Sequence, residues 1–502
     1  MSPTFKQRLL GATIALAAVL SVISAAPAAA AETSPRPAPP DERTAGTDSA
    51  ADSSTATMNV YLTSDQWEKL RSTPRSSKIQ EPPPQVPGQR PGPDAWAEAE
   101  DRTTPLPVSD TPPDGAVKDC LAWETVLWHV YDRFTACQRY AVEAKYYEIS
   151  NTAPPELEGT TTFTFELLAQ ADARQRRVRT FVRLVKDSVD YDWGAWDNVF
   201  LAPNINLTVS TDCTSGQRLE VCTTSPGPVT MPFAVWDNND RWYYWDVFNE
   251  EKSGQGRDRV SAAQWHLEFS SRGGQYEITH PYHTPDRMIR CDSAGYFSKG
   301  QARYPHACVF ADAVPHLDYQ LGGPRDEVAE HIWTAQELPA STYPLPQPGG
   351  TKTIPGQYTF DQSVPGLHRI LETHPQYAEN REHKTGACYK TGRYRHLYQD
   401  TGLPTPPDTK NPDPSKRQDC DEYPFASTLE GCASQRWDCS VKAVNASVNR
   451  GAGTDLKNFY VDQRILARDD TLFEPELTND TFYVDITSAP TPARLHAQPD
   501  HG

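Results

Sequence analysis

At 502 residues the chain is too long for one small domain, and roughly 100–200 residues per domain predicts two or three folded units joined by linkers. Its 45 prolines and 37 % hydrophobic content predict that part of the chain has no packed core. The formal charge of −18 disfavours a passive nucleic-acid coat, which needs excess Lys and Arg to neutralise phosphates. It does not exclude a nuclease, because a bound divalent cation reverses the local sign.

In chain order, residues 1–31 read as a signal peptide. Lys6 and Arg8 give a basic start, Leu9 to Ser24 an apolar run of signal length, and Ala28 to Ala31 a small-residue cleavage site ahead of Glu32. An uncleaved N-terminal anchor is the alternative. Residues 32–115, dominated by Pro, Ser, Thr, Ala and Asp, read as a disordered stalk. Within it, Met58 to Leu70 has enough apolar residues to dock as a short strand and helical turn.

Residues 116–345 read as a mainly-β domain. Trp123 to Tyr147 is a candidate strand pair. Thr160 to Leu168 alternates threonine with Phe163, Phe165 and Leu167, the two-residue period of a half-buried strand. Arg177 to Val185 keeps that pattern less cleanly. Ile205 to Ser210, Trp242 to Phe248 and Gln264 to Phe269 are further β-like runs separated by turn clusters, the pattern of a sandwich or barrel. The aromatic run Trp242 to Trp245 reads as core and strand pairs, with a glycan-binding surface as the alternative.

Residues 346–356 sit inside a Pro- and Gly-rich stretch, 338–358, and read as a linker. Residues 357–487 read as a small α+β unit. Gly366 to Asn380 and Thr454 to Leu466 are helix-like, and Ser440 to Val444 and Phe482 to Ile486 are strand-like. Residues 488–502 read as a disordered tail. No segment after the signal is apolar enough to span a membrane, so the predicted location is extracellular.

The ten cysteines fit that compartment, where disulfides persist. Pairing nearest neighbours gives Cys120–Cys137, Cys213–Cys222, Cys291–Cys308, Cys388–Cys420 and Cys432–Cys439. Nested pairing stays open, and the absence of any CxxC spacing argues against zinc.

Two segments of the last unit carry candidate chemistry. Asp421, Glu422 and Glu430 lie within ten residues, between Cys420 and Cys432. Clustered carboxylates bind hard divalent cations, which activate water and stabilise developing phosphate charge. A solvated acidic turn is the plain alternative. Downstream, Ser447 to Gly453 reads as a Gly-bearing turn into the helix at Thr454, a place where backbone N–H groups meet an anion. There Arg450 is suited to clamp a phosphate and Asn449 to orient water or ligate a metal, with a simple helix-capping turn as the alternative. The stretch Arg381 to Arg468 is slightly basic, with 14 Lys/Arg against 11 Asp/Glu.

Together, Cys420-Asp421-Glu422-Tyr423-Pro424-Phe425-Ala426-Ser427-Thr428, Glu430-Gly431, Asn449-Arg450-Gly451-Ala452-Gly453 and Phe459-Tyr460 resemble the NucA/NucB family of secreted bacterial deoxyribonucleases. The resemblance spans about Pro365 to Ile486, with weaker agreement at Leu367-His368-Arg369 and from Asn380-Arg381 to Ala387-Cys388. It implies divalent-metal-dependent cleavage of DNA, with Mg²⁺ or Mn²⁺ as cofactor, on a small fold likened to the ββα-metal nucleases. It assigns Asp421 and Glu422 to metal ligation and water activation without dividing the roles. Glu430 becomes a second metal candidate, Asn449 a catalytic one, and Arg450, Arg381 and Asn458 candidates for substrate phosphate. The sequence departs from the family at Cys432, where a second Gly is common, and at Val448, where some members carry Asp. Among histidines His368, His374, His383 and His396, His383 beside Arg381 is the best placed by sequence.

The expectation is therefore a multi-domain exported protein in which a mainly-β domain accompanies a disulfide-braced α+β nuclease domain. DNA is the predicted substrate, and a wall or matrix component is a candidate ligand of the β domain. The alternative is a non-catalytic surface or glycan-binding protein that keeps a nuclease-like scaffold.

Overall fold

The structure is a computed structural model that describes residues 55–63 and most of 111–487. It leaves out 113, 122–127, 131, 151, 196, 215–221, 273–277, 280, 312, 360–362 and 473–479. The predicted signal peptide, most of the predicted stalk and the predicted tail lie outside the described residues.

The apolar patch of the stalk forms strand β1 (Thr55–Thr63), which pairs in parallel with β2 (Thr135–Ile149) from Thr55↔Ala141 to Thr63↔Ile149 and buries Met58 and Val60. Helix α1 (Asp114–Leu121) lies between them in sequence. There follow β3 (Glu156–Ala171), β4 (Arg177–Leu184), β5 (Asn206–Thr214), β6 (Cys222–Ser225), β7 (Val229–Pro232) and β8 (Tyr243–Asn249). Next come β9 (Ser261–Arg272), β10 (Arg287–Asp292) and β11 (Ala307–Val309). Among the described residues these belong to a nine-stranded sheet containing the path β1-β2-β3-β4-β8-β6 and a six-stranded sheet containing β11-β10-β9-β5-β7. One core joins inward residues of both, including Phe163, Phe165, Trp245, Trp265 and Phe269, with Trp236 added from a short helix, Phe233–Asp237.

The alternation in β3 is real, and Phe163, Phe165 and Leu167 are buried. The blurred pattern in β4 has a physical cause. Arg177 and Arg179 alternate with apolar residues but are themselves buried, Arg177 on Asp172 at 2.5 Å and Arg179 on both oxygens of Asp246 at 2.7 Å. A buried, bidentate ion pair hides the polar face from any reading based on hydropathy. Tyr243, Tyr244 and Trp245 are buried and so supply core rather than an exposed sugar-binding face.

The C-terminal region is a small α/β arrangement. β12 (His316–Gln320) is followed by α2 (Asp326–Glu337), α3 (Pro375–Tyr389), the hairpin β13 (Gln418–Tyr423) and β14 (Ser440–Asn445), α4 (Ala446–Asp462) and β15 (Tyr483–Thr487). β12 and β15 pair in parallel. Leu317, Tyr319, Val328, Ala329, Ile332 and Ala335, all upstream of residue 346, share a core with Tyr423, Val444, Phe459 and Val484. The elements packed around the motif thus begin at His316, ahead of the Pro-rich stretch. That stretch is itself pinned, because buried Lys352 donates to Thr342 O, Thr342 Oγ1 and Pro344 O at 2.8–3.0 Å.

Two helix boundaries differ from expectation. α3 begins at Pro375, where proline suits a first helical turn, and runs past Asn380 to Tyr389. α4 begins at Ala446 rather than Thr454, capped by Asn445 Oδ1, which accepts from Ser447 N at 2.9 Å.

Disulfides join Cys213–Cys222, Cys291–Cys308, Cys388–Cys420 and Cys432–Cys439, as nearest-neighbour pairing predicts. Cys137 is disulfide-bonded, and the side chain of Cys120, its expected mate, lies outside the described residues. The disulfides fit an exported protein. No helix among the described residues is long and apolar enough to cross a membrane.

The β-rich region meets the C-terminal region through buried charge. Arg133 and Arg290 both pair with Asp480, Arg133 at 2.7 Å, and Arg464 pairs with Asp292 at 2.5 Å. Val260, Phe297 and Tyr304 pack beside Val461 and Leu466.

Candidate active site

Strand β13 carries the acidic motif, and its alternation decides where each side chain goes. Register with β14 places Asp421 opposite Lys442 and Tyr423 opposite Ser440 on one face, and Cys420 opposite Ala443 and Glu422 opposite Val441 on the other. The first face meets α2. His331 Nδ1 lies 2.6 Å from Asp421 Oδ2, and Gln336 donates to the Tyr423 hydroxyl at 3.0 Å. The second face meets α3. Cys388 bonds to Cys420, and Lys384 Nζ lies 3.4 Å from Glu422 Oε1. Adjacent acidic residues therefore have different neighbours, and the structure does not bring Asp421 and Glu422 onto one face.

On α3, Tyr377, Arg381, Lys384 and Cys388 fall at i, i+4, i+7 and i+11, which makes them one stripe. Lys384 and Cys388 meet β13 directly. Burial pushes the Tyr377 hydroxyl up, the charges of Glu372 and Glu422 add to this, and Arg381 opposes it. Glu422 is buried at 9 % exposure. Its Oε1 accepts from Ala426 N at 3.2 Å, whereas its buried Oε2 has no partner. Burial pushes the Glu422 carboxyl up, and the Lys384 ammonium only partly opposes this.

The loop after β13 is held by α3 and by the segment before it. Asn380 donates to Ala426 O at 3.0 Å and Thr428 O at 2.8 Å and accepts from Ala433 N at 2.9 Å. Glu430 is clamped by one residue, since His368 Nδ1 lies 2.8 Å from Oε1 and His368 N donates to Oε2 at 2.9 Å. The Tyr460 hydroxyl from α4 lies 2.9 Å from Ser427 Oγ, and the Arg369 guanidinium sits 4.6 Å over the Tyr460 ring. Cys432–Cys439 closes the loop at the position where the family commonly has a second Gly.

Gly431 shows how tightly the loop is packed. A Cβ there would fall under 3.0 Å from three atoms of the buried Asn380 amide. Gly431→Ala must push that amide away from the carbonyls it holds, an overpacking change of about 1–3 kcal/mol. The expected result is a lower melting temperature, read by thermal denaturation.

The second motif segment is corrected. Because α4 starts at Ala446, Ser447 to Gly453 is helical and is not a free anion-binding turn. Asn449 Nδ2 donates to Cys420 O at 3.3 Å, which ties α4 to the acidic strand. Arg450 is largely exposed and pairs with Asp419 at 3.0 Å. Gly451 makes room for the Arg325 guanidinium, which pairs with Asp455 at 2.7 Å. Arg381 is exposed and Asn458 half-buried. His383 is occupied elsewhere, with Nδ1 2.7 Å from the Tyr398 hydroxyl and its ring stacked 3.9 Å from Tyr394.

Sequence reasoning missed His331 and Lys384 as partners of the motif, and it named His368 and Asn380 without pairing them with the motif's residues. Lys384 was recoverable from helical spacing once α3 was known. His331 lies 90 residues upstream of Asp421 and left no local signal.

A hard divalent cation takes oxygen donors, and Mg²⁺ often uses one or two carboxylates, completing its shell with water and substrate phosphate. The unpartnered Glu422 Oε2 fits that requirement. Both oxygens of Glu430 are engaged by His368 and Asp421 Oδ2 by His331, so the three carboxylates do not form a closed three-ligand set. Among the described residues, the three-residue cluster with donor atoms within 4.8 Å of one another is His316, Asp318 and Asp485, none of them in the motif.

The C-terminal region is thus a disulfide-braced α/β unit that presents a buried carboxylate beside a lysine and a second carboxylate beside a histidine. Residues 372–472 of this unit match the family model for deoxyribonuclease NucA/NucB, the family that the motif resembles. Comparison with curated proteins and with solved structures found no match.

Proposed function

We propose that the protein is an exported endonuclease that hydrolyses DNA phosphodiester bonds with the help of Mg²⁺ or Mn²⁺. The observation that carries this reading is Glu422, a buried carboxylate with one oxygen unpartnered, placed against Lys384 inside the segment that matches the deoxyribonuclease family. The nuclease unit in this reading runs from His316 to Thr487. Its order β13, β14, α4 is a hairpin followed by a helix, which supports the comparison with ββα-metal nucleases.

Glu422, through Oε2, is the residue that would hold the cation. When bound, the cation supplies charge to stabilise the phosphate and acidifies water. Lys384 and Arg381, on one stripe of α3, add positive charge for the substrate phosphate. Arg450 and Asn458 on α4 are the further phosphate contacts of this reading. His368 is the proton acceptor through Nε2, because its imidazole is partly exposed, Glu430 fixes its orientation through Nδ1, and the Thr481 hydroxyl on Nε2 is at the long distance of 3.4 Å. Asp421 and Asn449 hold β13 against α2 and α4.

The test is digestion of supercoiled plasmid by the full chain with Mg²⁺ or Mn²⁺. The expected outcome is cleavage that stops on addition of EDTA and returns with excess metal. DNA left intact under all common divalent ions would sink the reading and favour a non-catalytic scaffold, whereas cleavage unaffected by EDTA would remove the metal and keep the class.

A further inference from the structure

We infer that His331, on a helix upstream of the segment that matches the deoxyribonuclease family, is a positioning residue of the nuclease site. This rests on the proposed DNase reading and extends it to α2.

α2 faces the motif hairpin along most of its length. Its apolar side places Val328, Ala329, Ile332 and Ala335 in the core that holds Tyr423 and Val444. Its polar contacts address the hairpin at successive points. Glu327 Oε2 accepts from Asn445 N at 2.6 Å, Glu330 pairs with Lys442 at 3.0 Å, and Gln336 reaches the Tyr423 hydroxyl. His331 is at the centre, buried, with both ring nitrogens engaged. Nδ1 lies 2.6 Å from Asp421 Oδ2 and Nε2 lies 2.8 Å from Ser440 Oγ.

The chemistry of the partners sets the roles. An ionised carboxylate only accepts, so Nδ1 carries hydrogen and donates to Asp421. In the neutral ring Nε2 then accepts from the Ser440 hydroxyl. Asp421 is on β13 and Ser440 on β14, so one imidazole bridges the two strands and fixes their register. Asp421 precedes Glu422, and alternation sends Glu422 to the opposite face. Holding Asp421 from behind therefore holds the Glu422 backbone, and with it the placement of Oε2 and the Lys384 contact. Outer partners that orient a metal-holding residue typically affect activity about 10–100-fold, and His331 acts on Glu422 in this way through Asp421 and the strand they share.

The experiment uses the full chain and compares His331→Ala, His331→Asn and Ile332→Ala. Rates of plasmid cleavage are measured over a Mg²⁺ series at a temperature where all three are folded, together with melting temperatures. Asn places an amide N–H where Nδ1–H stands and preserves the bond to Asp421. Ile332→Ala removes core contact from the same helix without touching that bond. The expected result is a cleavage rate about 10–100-fold lower for His331→Ala at saturating Mg²⁺. His331→Asn should recover most of the rate, and Ile332→Ala should melt earlier while cleaving at the wild-type rate. The inference is overturned if His331→Ala cleaves like wild type. It is also overturned if His331→Asn is as slow as His331→Ala, or if Ile332→Ala loses rate in proportion to melting temperature. An active wild type with unaffected His331 variants leaves the DNase reading intact, whereas an inert wild type removes both.

Discussion

Glu422→Gln is expected to lower DNA cleavage by about 10²–10⁴-fold, the range for loss of an essential acid, base or ligand carboxylate, while the protein stays folded. Gln is nearly isosteric with Glu, and its amide oxygen still accepts from Ala426 N, so the loop should persist. Stability should move the other way from activity. Burial raises the folded-state proton affinity of Glu422 above that of the unfolded chain, against the opposing charge of Lys384. A carboxyl whose folded pKa is raised costs nothing when protonated and progressively costs stability as pH climbs from its unfolded value through its folded one. At pH 7, above its unfolded value, the buried carboxyl is a net burden on the fold, and Gln removes it. The check is a pair of measurements, cleavage rate and melting temperature from pH 4 to 8. An inactive variant whose stability is equal or higher at pH 7 is expected. Cleavage at the wild-type rate would remove Glu422 from the chemistry.

Asp480→Asn carries the largest expected loss of stability. Asp480 is buried between Arg133 and Arg290 and also accepts from Leu466 N at 2.8 Å. Burial by itself disfavours its charge, but the two guanidinium groups outweigh that and hold the carboxyl down at about 2. A depressed carboxyl contributes stability that is complete above its unfolded pKa, near 4, and is lost as pH falls through about 2. The difference of nearly two pH units is worth about 2–3 kcal/mol. Substitution also leaves two buried arginines short of a counter-charge, and breaking a buried pair typically costs about 3–5 kcal/mol. The variant should therefore melt well below wild type at pH 7 and lose less stability between pH 4 and 2. Because Arg133 and Arg290 belong to the β-rich region and Asp480 to the C-terminal one, this loss should reach the unit that carries the acidic motif. Unchanged melting at pH 7 would show that the network is solvated and weak.

The elements that could be read from sequence are those set by local repetition. Phe163, Phe165 and Leu167 declare a strand because side chains alternate across a pleat. The cysteine spacings foreshadowed the pairs Cys213–Cys222, Cys291–Cys308, Cys388–Cys420 and Cys432–Cys439 because short loops are the least costly to close. β4 was blurred because Arg177 and Arg179 are buried on carboxylates, which hydropathy cannot anticipate. The start of α4 reads about two turns late in the sequence because Gly451 and Gly453 look like turn residues. In the fold Gly451 instead accommodates Arg325, and Asn445 caps the helix.

The sequence by itself pointed to the class of chemistry, since Asp421-Glu422-Tyr423-Pro424 and Asn449-Arg450-Gly451 are two short local strings and residues 372–472 match the family model for deoxyribonuclease NucA/NucB. Only the tertiary structure decided how that pattern is used. Strand alternation turns Asp421 toward α2 and Glu422 toward α3, and the partners they meet, His331 and Lys384, come from helices that precede the motif in the chain. His368, which clamps Glu430, is 62 residues away from it. Such pairings depend on which surfaces the packed helices and strands bring together, and neither residue spacing nor composition encodes them locally.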